Sequence, residues 1–289
     1  TGRGIRLLIR KIYSIIRDSV SLFNRNACFT SAAAISFYAF FSLIPIMLLV
    51  TAALGFFLGT REGLIDEVVA MVRQSLPYVS ERIVNDLKGL STQWWKFGWI
   101  SIIVLIFSAE LVLEATASEL SSVFDTGRRF GFVRRKIINL GVLLLGIIAA
   151  LVSILMTAAS VLLSNFHLRV FGIDIVYYLV QSLTFKILLP FLLVTAVVAV
   201  VFRLFSGPNL NVRYALYGSV IFTTMWEVTK QVFTWYVSNF HSYNKFYASL
   251  GTLMLLLIWI FYSANIFLFS AAVARSAFVA REGADREGA

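Results

Sequence analysis

Six long apolar segments constrain what this chain can fold into. Each holds about 20 residues or more, and a helix of that length, at about 1.5 Å per residue, crosses the roughly 30 Å hydrocarbon core of a bilayer. Of all residues, 59% are hydrophobic and only 14% are charged, which lies outside the usual composition of soluble domains. Because the segments lack the alternation of barrel strands, the sequence predicts an all-α, polytopic membrane protein.

The six predicted transmembrane helices are placed to within a few residues at each end. They cover about 31–58, 97–119, 137–163, 180–203, 212–238 and 250–276. The connections between them are short, so residues 1–289 are expected to form a single membrane domain. The one cysteine, Cys28, excludes an intrachain disulfide.

Two segments outside the spans have amphipathic patterns. In residues 3–23, apolar side chains recur at helical spacing while Arg10 and Arg17 fall on another face, which predicts a helix lying along the membrane surface. Residues 59–96 repeat the pattern on both sides of Pro77. Since proline breaks a helix, we expect an external helical hairpin there.

Lysine and arginine residues are distributed unevenly over the connections and chain ends. One side of the predicted topology carries sixteen of them and the other carries seven, which favours cytoplasmic termini. The net charge of +10 is then explained by contact with anionic lipid head groups, and no nucleic-acid partner is predicted.

Charged side chains inside the predicted spans are the candidates for function, because each ionisable group in hydrocarbon is costly. Glu110 and Glu114 lie four residues apart and project from one helix face. Their favoured partners are Lys186 and Lys230, although Lys230 can also pair with Glu227 three residues before it. The excess of acid over base favours a hydrated, titratable cavity, while simple neutralisation between packed helices stays open.

Other polar or small residues near the spans have more ordinary interpretations. Glu119 lies close to the basic residues 128–136, so an interfacial ion pair is expected. Asn265 is predicted to hydrogen-bond to a neighbouring helix at mid-depth. Small residues within 146–153 indicate a close-packing face, with a homo-oligomer contact as the alternative.

Signatures of enzymes are scarce. His167 and His241 stand alone, and no P-loop, nucleophile elbow or HExxH motif is present. Two carboxylates in a cavity could do acid–base chemistry, but no nucleophile or metal-ligand set accompanies them. The sequence therefore predicts a protein that is not an enzyme and holds no cofactor or metal, with an intramembrane enzyme as the weakest alternative.

Two stretches match sequence patterns of a known family. Residues 238–263 fit SNF-x-SY-x-x-x-YGSLG followed by LLLWLY-x-S, and residues 34–45 fit A-x-S/A-Y-Y-x-x-x-S-x-x-P. The linker SGPNLNVRYALYGS, residues 206–219, suits the same family. On these residues the chain resembles the YihY/BrkB family of bacterial inner-membrane proteins.

The resemblance implies six transmembrane helices with cytoplasmic termini, in agreement with the loop charges. The chain departs from the family at residues 270–272, where Ser-Ala-Ala replaces the usual Gly-Ala-Glu, and at Ala248, where glycine is usual. A role for that glutamate therefore does not transfer. Family members have been labelled ribonuclease BN, but this sequence has no clustered metal ligands and no soluble basic groove for RNA.

The preferred interpretation is a transporter or lipid-translocating protein that moves a polar, zwitterionic or phosphate-bearing substrate through a charged cavity. The predicted substrate pathway comprises Glu110, Glu114, Lys186, Glu227, Lys230 and Asn265. The predicted gate comprises Ser36, Tyr38, Pro45, Tyr243, Asn244 and Tyr247, although the tyrosines fit an interfacial aromatic belt equally well. The alternative is an envelope scaffold that binds membrane lipids without transporting them.

Overall fold

The computed structural model describes residues 2–59, 94–126, 132–164, 169–170, 173–174, 188–239 and 248–287. Its helices are α1 (Gly2–Arg25), α2 (Cys28–Gly59), α3 (Trp94–Val123), α4 (Phe132–Ser164), α5 (Leu189–Ser206), α6 (Val212–Asn239) and α7 (Ala248–Glu287). Two short antiparallel strands follow α4, namely β1 (Arg169–Val170) and β2 (Ile173–Asp174). The sequence predicted a plain connection where this strand pair lies.

Five helical segments within the described residues are long and apolar enough to cross a membrane. They are Cys28–Leu49, Gly98–Val123, Val133–Met156, Leu189–Ser206 and Leu253–Glu282. The predicted span 212–238 does form a helix, α6, but it is not one of these five segments. It is less apolar than they are, and it carries Arg213, Glu227 and Lys230. The multi-span helical prediction is therefore confirmed, whereas the count of six is not. Residues 60–93, with the predicted external hairpin, lie outside the described residues.

The chain divides into two compact units. One comprises residues 37–112, and the other comprises residues 1–36 and 113–289. Within the larger unit, α5 packs against α4 and α6, α6 packs against α7, and α7 packs against α1. All the clusters described below, except where stated, lie within this larger unit.

Helices α5, α6 and α7 each have a half of their length that contains buried residues and a half that is more exposed. The packed half comprises residues 195–206, 214–223 and 264–276, and the exposed half comprises residues 188–194, 224–239 and 253–263. Every buried residue of α6 precedes Thr224. Contacts between Phe202 and both Phe124 and Phe267 fill the packed half, with ring centroids 5.9 and 5.1 Å apart.

The close approach of α6 and α7 depends on Gly218. A Cβ atom at this position would lie 2.7 Å from Ala274 Cβ and 3.1 Å from the Ser270 carbonyl oxygen. The first distance is too short for non-bonded contact, because carbon atoms prefer about 3.5–4.0 Å, and the second is tighter than an ordinary contact. Glycine therefore lets the two backbones approach, as small residues do between membrane helices.

Helix α1 has two different sides. Ser19 is buried, and Phe23 makes an edge contact with Phe269 of α7. Ile12, Ile16 and Val20, spaced four residues apart, are exposed. The predicted helix over 3–23 is thus present, and it presents an apolar stripe that α7 does not cover.

Candidate functional site

Glu114 forms a polar cluster with the first turns of α4. Its carboxylate lies 2.9 Å from Arg135 Nη2 and accepts a hydrogen bond of 3.2 Å from Asn139 Nδ2. Arg135 Nε and Asn139 Oδ1 in this cluster are buried and have no hydrogen-bond partner among the described residues. The sequence favoured a lysine partner for Glu114, whereas the structure supplies an arginine from the basic segment after α3.

Glu119, one turn further along α3, is 7% exposed. Its carboxylate accepts hydrogen bonds from Ser31 Oγ at 2.7 Å and from Cys28 Sγ at 3.1 Å. The expected ion pair between Glu119 and the basic residues 128–136 is not among the described contacts, and residues 127–131 lie outside the described part of the chain. Position along the span alone suggested the interface, but the first turn of α2 covers this carboxylate with uncharged donors.

Glu227 and Lys230 form an ion pair on the exposed half of α6, as their spacing predicted. Lys230 Nζ lies 2.6 Å from Glu227 Oε2, and the two side chains are 42% and 31% exposed. Lys230 also lies 5.5 Å from the centre of the Trp226 ring, within reach of a cation–π interaction. Trp226 in turn donates to Ser263 Oγ of α7.

The remaining predicted site residues are scattered. Glu110 lies in the unit of residues 37–112, as do Tyr38 and Pro45, while Ser36 belongs to the larger unit and is buried against the Ala32 carbonyl. Asn265 donates to the Phe261 carbonyl of its own helix, and its Oδ1 is buried without a partner. The predicted bond from Asn265 to another helix was therefore wrong. Lys186, Tyr243, Asn244 and Tyr247 lie outside the described residues.

A cavity of about 1000 Å³ opens at the α1 end of the larger unit. Three segments line it: α1 and the turn after it, the end of α3, and the last third of α7. The lining residues are Asp18, Ser21, Leu22, Arg25, Asn26, Ser121, Ser122, Val123, Asp125, Arg275, Ser276, Val279 and Ala280. The wall therefore carries both signs of charge and several hydroxyl groups.

Hydrogen bonds to the turn between α5 and α6 fix two charged residues of this cavity. Asn209 Nδ2 donates to the carbonyls of Phe124 and Asp125 at 3.2 and 3.0 Å. Arg275 Nη1 donates to the Asn209 carbonyl at 2.9 Å, and its guanidinium lies over Phe278. Asn209 thus connects the end of α3 to α7.

The cavity wall is also tied to α1. Ser122 Oγ donates to Asn26 Oδ1 at 3.1 Å, which joins the turn after α1 to α3. Asp125 has a left-handed backbone with φ of 56°, a conformation that aspartate tolerates better than most residues. The cavity's polar walls are therefore positioned by the fold of three elements.

Sequence reasoning missed this cavity. Its charges lie near or outside the ends of the predicted spans, where charge is expected in a membrane protein. The signal available was the polar turn at residues 206–211, whose asparagines follow Gly207 and Pro208. Among the described residues, no group of three His, Cys, Asp or Glu side chains is placed to hold a metal ion.

Five apolar helical segments with extensive exposed hydrophobic surface define a multi-pass α-helical membrane protein. Comparison with known families identifies it further. Residues 19–289 match the model of the family described as virulence factor BrkB. The chain belongs to this family, which confirms the resemblance found in the sequence motifs.

Curated relatives of the chain are named UPF0761 membrane proteins. The protein from Pseudomonas aeruginosa (strain LESB58) is 27% identical over 247 residues, which cover 83% of this chain and 57% of the relative. The protein from Alkalilimnicola ehrlichii is 28% identical over 254 residues, covering 86% and 55%. The chain thus spans little more than half the length of these relatives. No solved structure matches it.

Proposed function

We propose that the chain is a membrane transporter or lipid-translocating protein for a polar, zwitterionic or phosphate-bearing substrate. The observation that carries the proposal is the Glu227–Lys230 ion pair, which lies 2.6 Å apart on the exposed half of α6. A pair that only neutralised charge between helices would be expected in the packed half, where apolar contacts exclude water. Its exposure instead suits a hydrated route for polar groups.

Glu114 and Arg135 supply a second charged position in the proposed route. Their side chains are 42% and 32% exposed, and the unpartnered Arg135 Nε and Asn139 Oδ1 leave hydrogen-bonding capacity nearby. The partly exposed carboxylate and guanidinium groups suit a substrate that brings its own donors and acceptors. Glu110, Lys186 and Asn265 stay in the proposal on the sequence argument alone.

The proposed location is the bacterial inner membrane with both termini in the cytoplasm. The distribution of lysine and arginine supports this orientation. The exposed stripe of Ile12, Ile16 and Val20 beside Arg10 and Arg17 supports contact between α1 and a membrane surface with anionic head groups. The cavity at the α1 end would then face the cytoplasm.

Flux through reconstituted vesicles tests the proposal. Purified protein in phospholipid vesicles should accelerate exchange of an acyl-labelled fluorescent phosphatidylethanolamine between leaflets, measured by chemical quenching of the outer leaflet. Glu227→Gln and Lys230→Met should each slow this exchange at least about tenfold, because each leaves an unpaired charge in the route. Exchanging the two residues in one variant should restore part of the rate.

Arg10→Gln is the matched control, since it removes an exposed α1 charge remote from the pair. Its rate should equal that of the wild type. If wild-type protein moves neither lipid nor a small zwitterion faster than empty vesicles, the transporter proposal is wrong and a lipid-binding scaffold becomes the better description.

A further inference from the structure

The cavity at the α1 end carries four charged residues that the proposed transport route does not use. Asp18 and Arg25 come from α1, Asp125 follows α3, and Arg275 comes from α7. Two cations and two anions therefore face one volume of about 1000 Å³, within the usual size range of small-molecule sites. Such a wall is neutral as a whole but strongly polar.

The helix geometry explains why these residues meet. Ser21, Leu22 and Arg25 follow Asp18 by three, four and seven residues, which places all four on one face of α1. Because α1 packs against α7, that face lies beside the α7 turn that holds Arg275 and Ser276. The end of α3, tied to Asn26 through Ser122, closes the third side.

Two of the four charges have no side-chain partner among the described residues. The side chains of Arg25 and Asp125 make no hydrogen bond or ion pair with a described residue, although both line the same cavity. Asp18 is only weakly engaged, by an exposed contact of 3.5 Å with Arg17. The guanidinium group of Arg275 makes one described hydrogen bond, to the Asn209 carbonyl. This bond orients the guanidinium group and leaves its other N–H groups for a ligand.

We propose that this cavity binds the zwitterionic headgroup of a phosphate-bearing molecule of the phosphoethanolamine class. The phosphate would contact Arg25 and Arg275, because guanidinium groups bind phosphate oxygens through paired hydrogen bonds. The ammonium group would contact Asp125 and Asp18. The inference rests on the proposed function, since it assigns that function's substrate class to a particular place.

The two positive and two negative charges of the cavity favour a zwitterion over a ligand with charge of one sign. A bare anion would meet two carboxylates beside the arginines, and a bare cation would meet two arginines beside the carboxylates. A zwitterion satisfies both pairs at once. Both a membrane lipid and a water-soluble headgroup ester carry this chemistry, so the two sources need separate measurements.

Binding to the 289-residue chain in detergent tests the proposal. Calorimetric titration with dihexanoyl phosphatidylethanolamine probes the lipid source, and titration with glycerophosphoethanolamine probes the soluble source. Dihexanoyl phosphatidylglycerol serves as the anionic comparison. Wild-type protein should bind at least one zwitterion about tenfold more tightly than the anionic lipid.

Arg25→Gln should weaken binding of the zwitterion about tenfold, because it removes an ionic contact to phosphate. Asp125→Asn should reverse the preference toward the anionic lipid, and asparagine keeps the left-handed backbone at this position. Arg213→Gln, in the first turn of α6 and outside the cavity, should bind as the wild type does. If both cavity variants bind the zwitterion like the wild type, or the wild type prefers the anionic lipid, the inference is wrong.

Flux measured on the same preparations separates this inference from the proposed function. Tight, Arg25-dependent binding without any wild-type flux would overturn transport and retain the headgroup site. Flux that persists while wild-type protein shows no zwitterion binding would overturn the headgroup site and retain transport.

Discussion

The two halves of α6 differ in what surrounds them. From Tyr214 to Thr223, one face of the helix is buried against α5 and α7, and Gly218 allows backbone contact. From Thr224 to Asn239 no residue is buried, although this half carries the ion pair Glu227–Lys230. Three buried hydroxyl groups of the packed half are hydrogen-bonded within the protein, whereas Glu227 and Lys230 lie in the half that has no buried residue.

This difference separates the hydrogen-bonded hydroxyl groups of the fold from the ion pair on which the proposed transport route rests. Thr195, Ser219 and Thr223 in the packed half satisfy one another or a backbone carbonyl. Such bonds add modest stability without placing charge in a low-dielectric region. The exposed half gains little from packing, so charged residues there need another reason to be present.

The largest expected loss of stability comes from a substitution in the packed half of α6. Gly218→Ala should lower the free energy of unfolding by about 3 kcal/mol, because the added Cβ overlaps Ala274 and the Ser270 carbonyl. Unfolding in mixed micelles, followed by circular dichroism, measures the change.

Gly146→Ala is the matched control, because a Cβ at Gly146 meets nothing within 4 Å. Its stability should be unchanged or slightly higher, since alanine favours helix. Equal losses in both variants would mean that the α6–α7 contact is not the tight one, or that Gly146 packs against a second copy of the chain.

A second prediction concerns the buried carboxylate of Glu119. Glu119→Ala should cost about 2 kcal/mol, because Ser31 Oγ and Cys28 Sγ would lose their acceptor in a buried position. Glu119→Gln keeps one acceptor oxygen and should cost less. If thermal unfolding shows that the alanine variant is as stable as the glutamine variant, these two hydrogen bonds do not stabilise the fold.

The carboxylates of α3 show how far sequence reasoning reaches. Apolar length correctly predicted a helix around Glu114 and Glu119, and family motifs correctly predicted the family. The environments of the two side chains differ from those expected. Glu119 is buried, and Glu114 pairs with Arg135 where a lysine partner was favoured. Depth along a span is readable from sequence, but which neighbouring helix covers a given face depends on tertiary packing.

Local spacing was the more dependable guide within one helix. It predicted the Glu227–Lys230 pair and the amphipathic α1, both of which depend only on residues three or four apart. The cavity at the α1 end joins Arg25, Asp125 and Arg275, which are far apart in sequence. No periodicity relates such residues, so the sequence alone did not reveal that they meet.

A smaller effect is expected at the edge of the packed half. Thr195→Val should cost about 0.6 kcal/mol, since it removes the 3.0 Å hydrogen bond from Thr195 Oγ1 to Thr223 Oγ1 between α5 and α6 while keeping side-chain volume. Thr224→Val is the control, because Thr224 is exposed and bonds only to its own helix at Val220. A larger loss at Thr224 would contradict the division between the two halves.

The smallest effect on stability is expected from the Glu227–Lys230 pair, on which the proposed transport route rests. A double-mutant cycle with Glu227→Gln and Lys230→Met should give a coupling free energy of about 0.2–0.5 kcal/mol, as for solvent-exposed pairs one turn apart on a helix. Salt should weaken the coupling further if water reaches both groups. A coupling of several kcal/mol that salt leaves unchanged would mean that the pair is shielded from water. The exposed half of α6 would then be covered in the membrane, and the hydrated route proposed along it would be wrong.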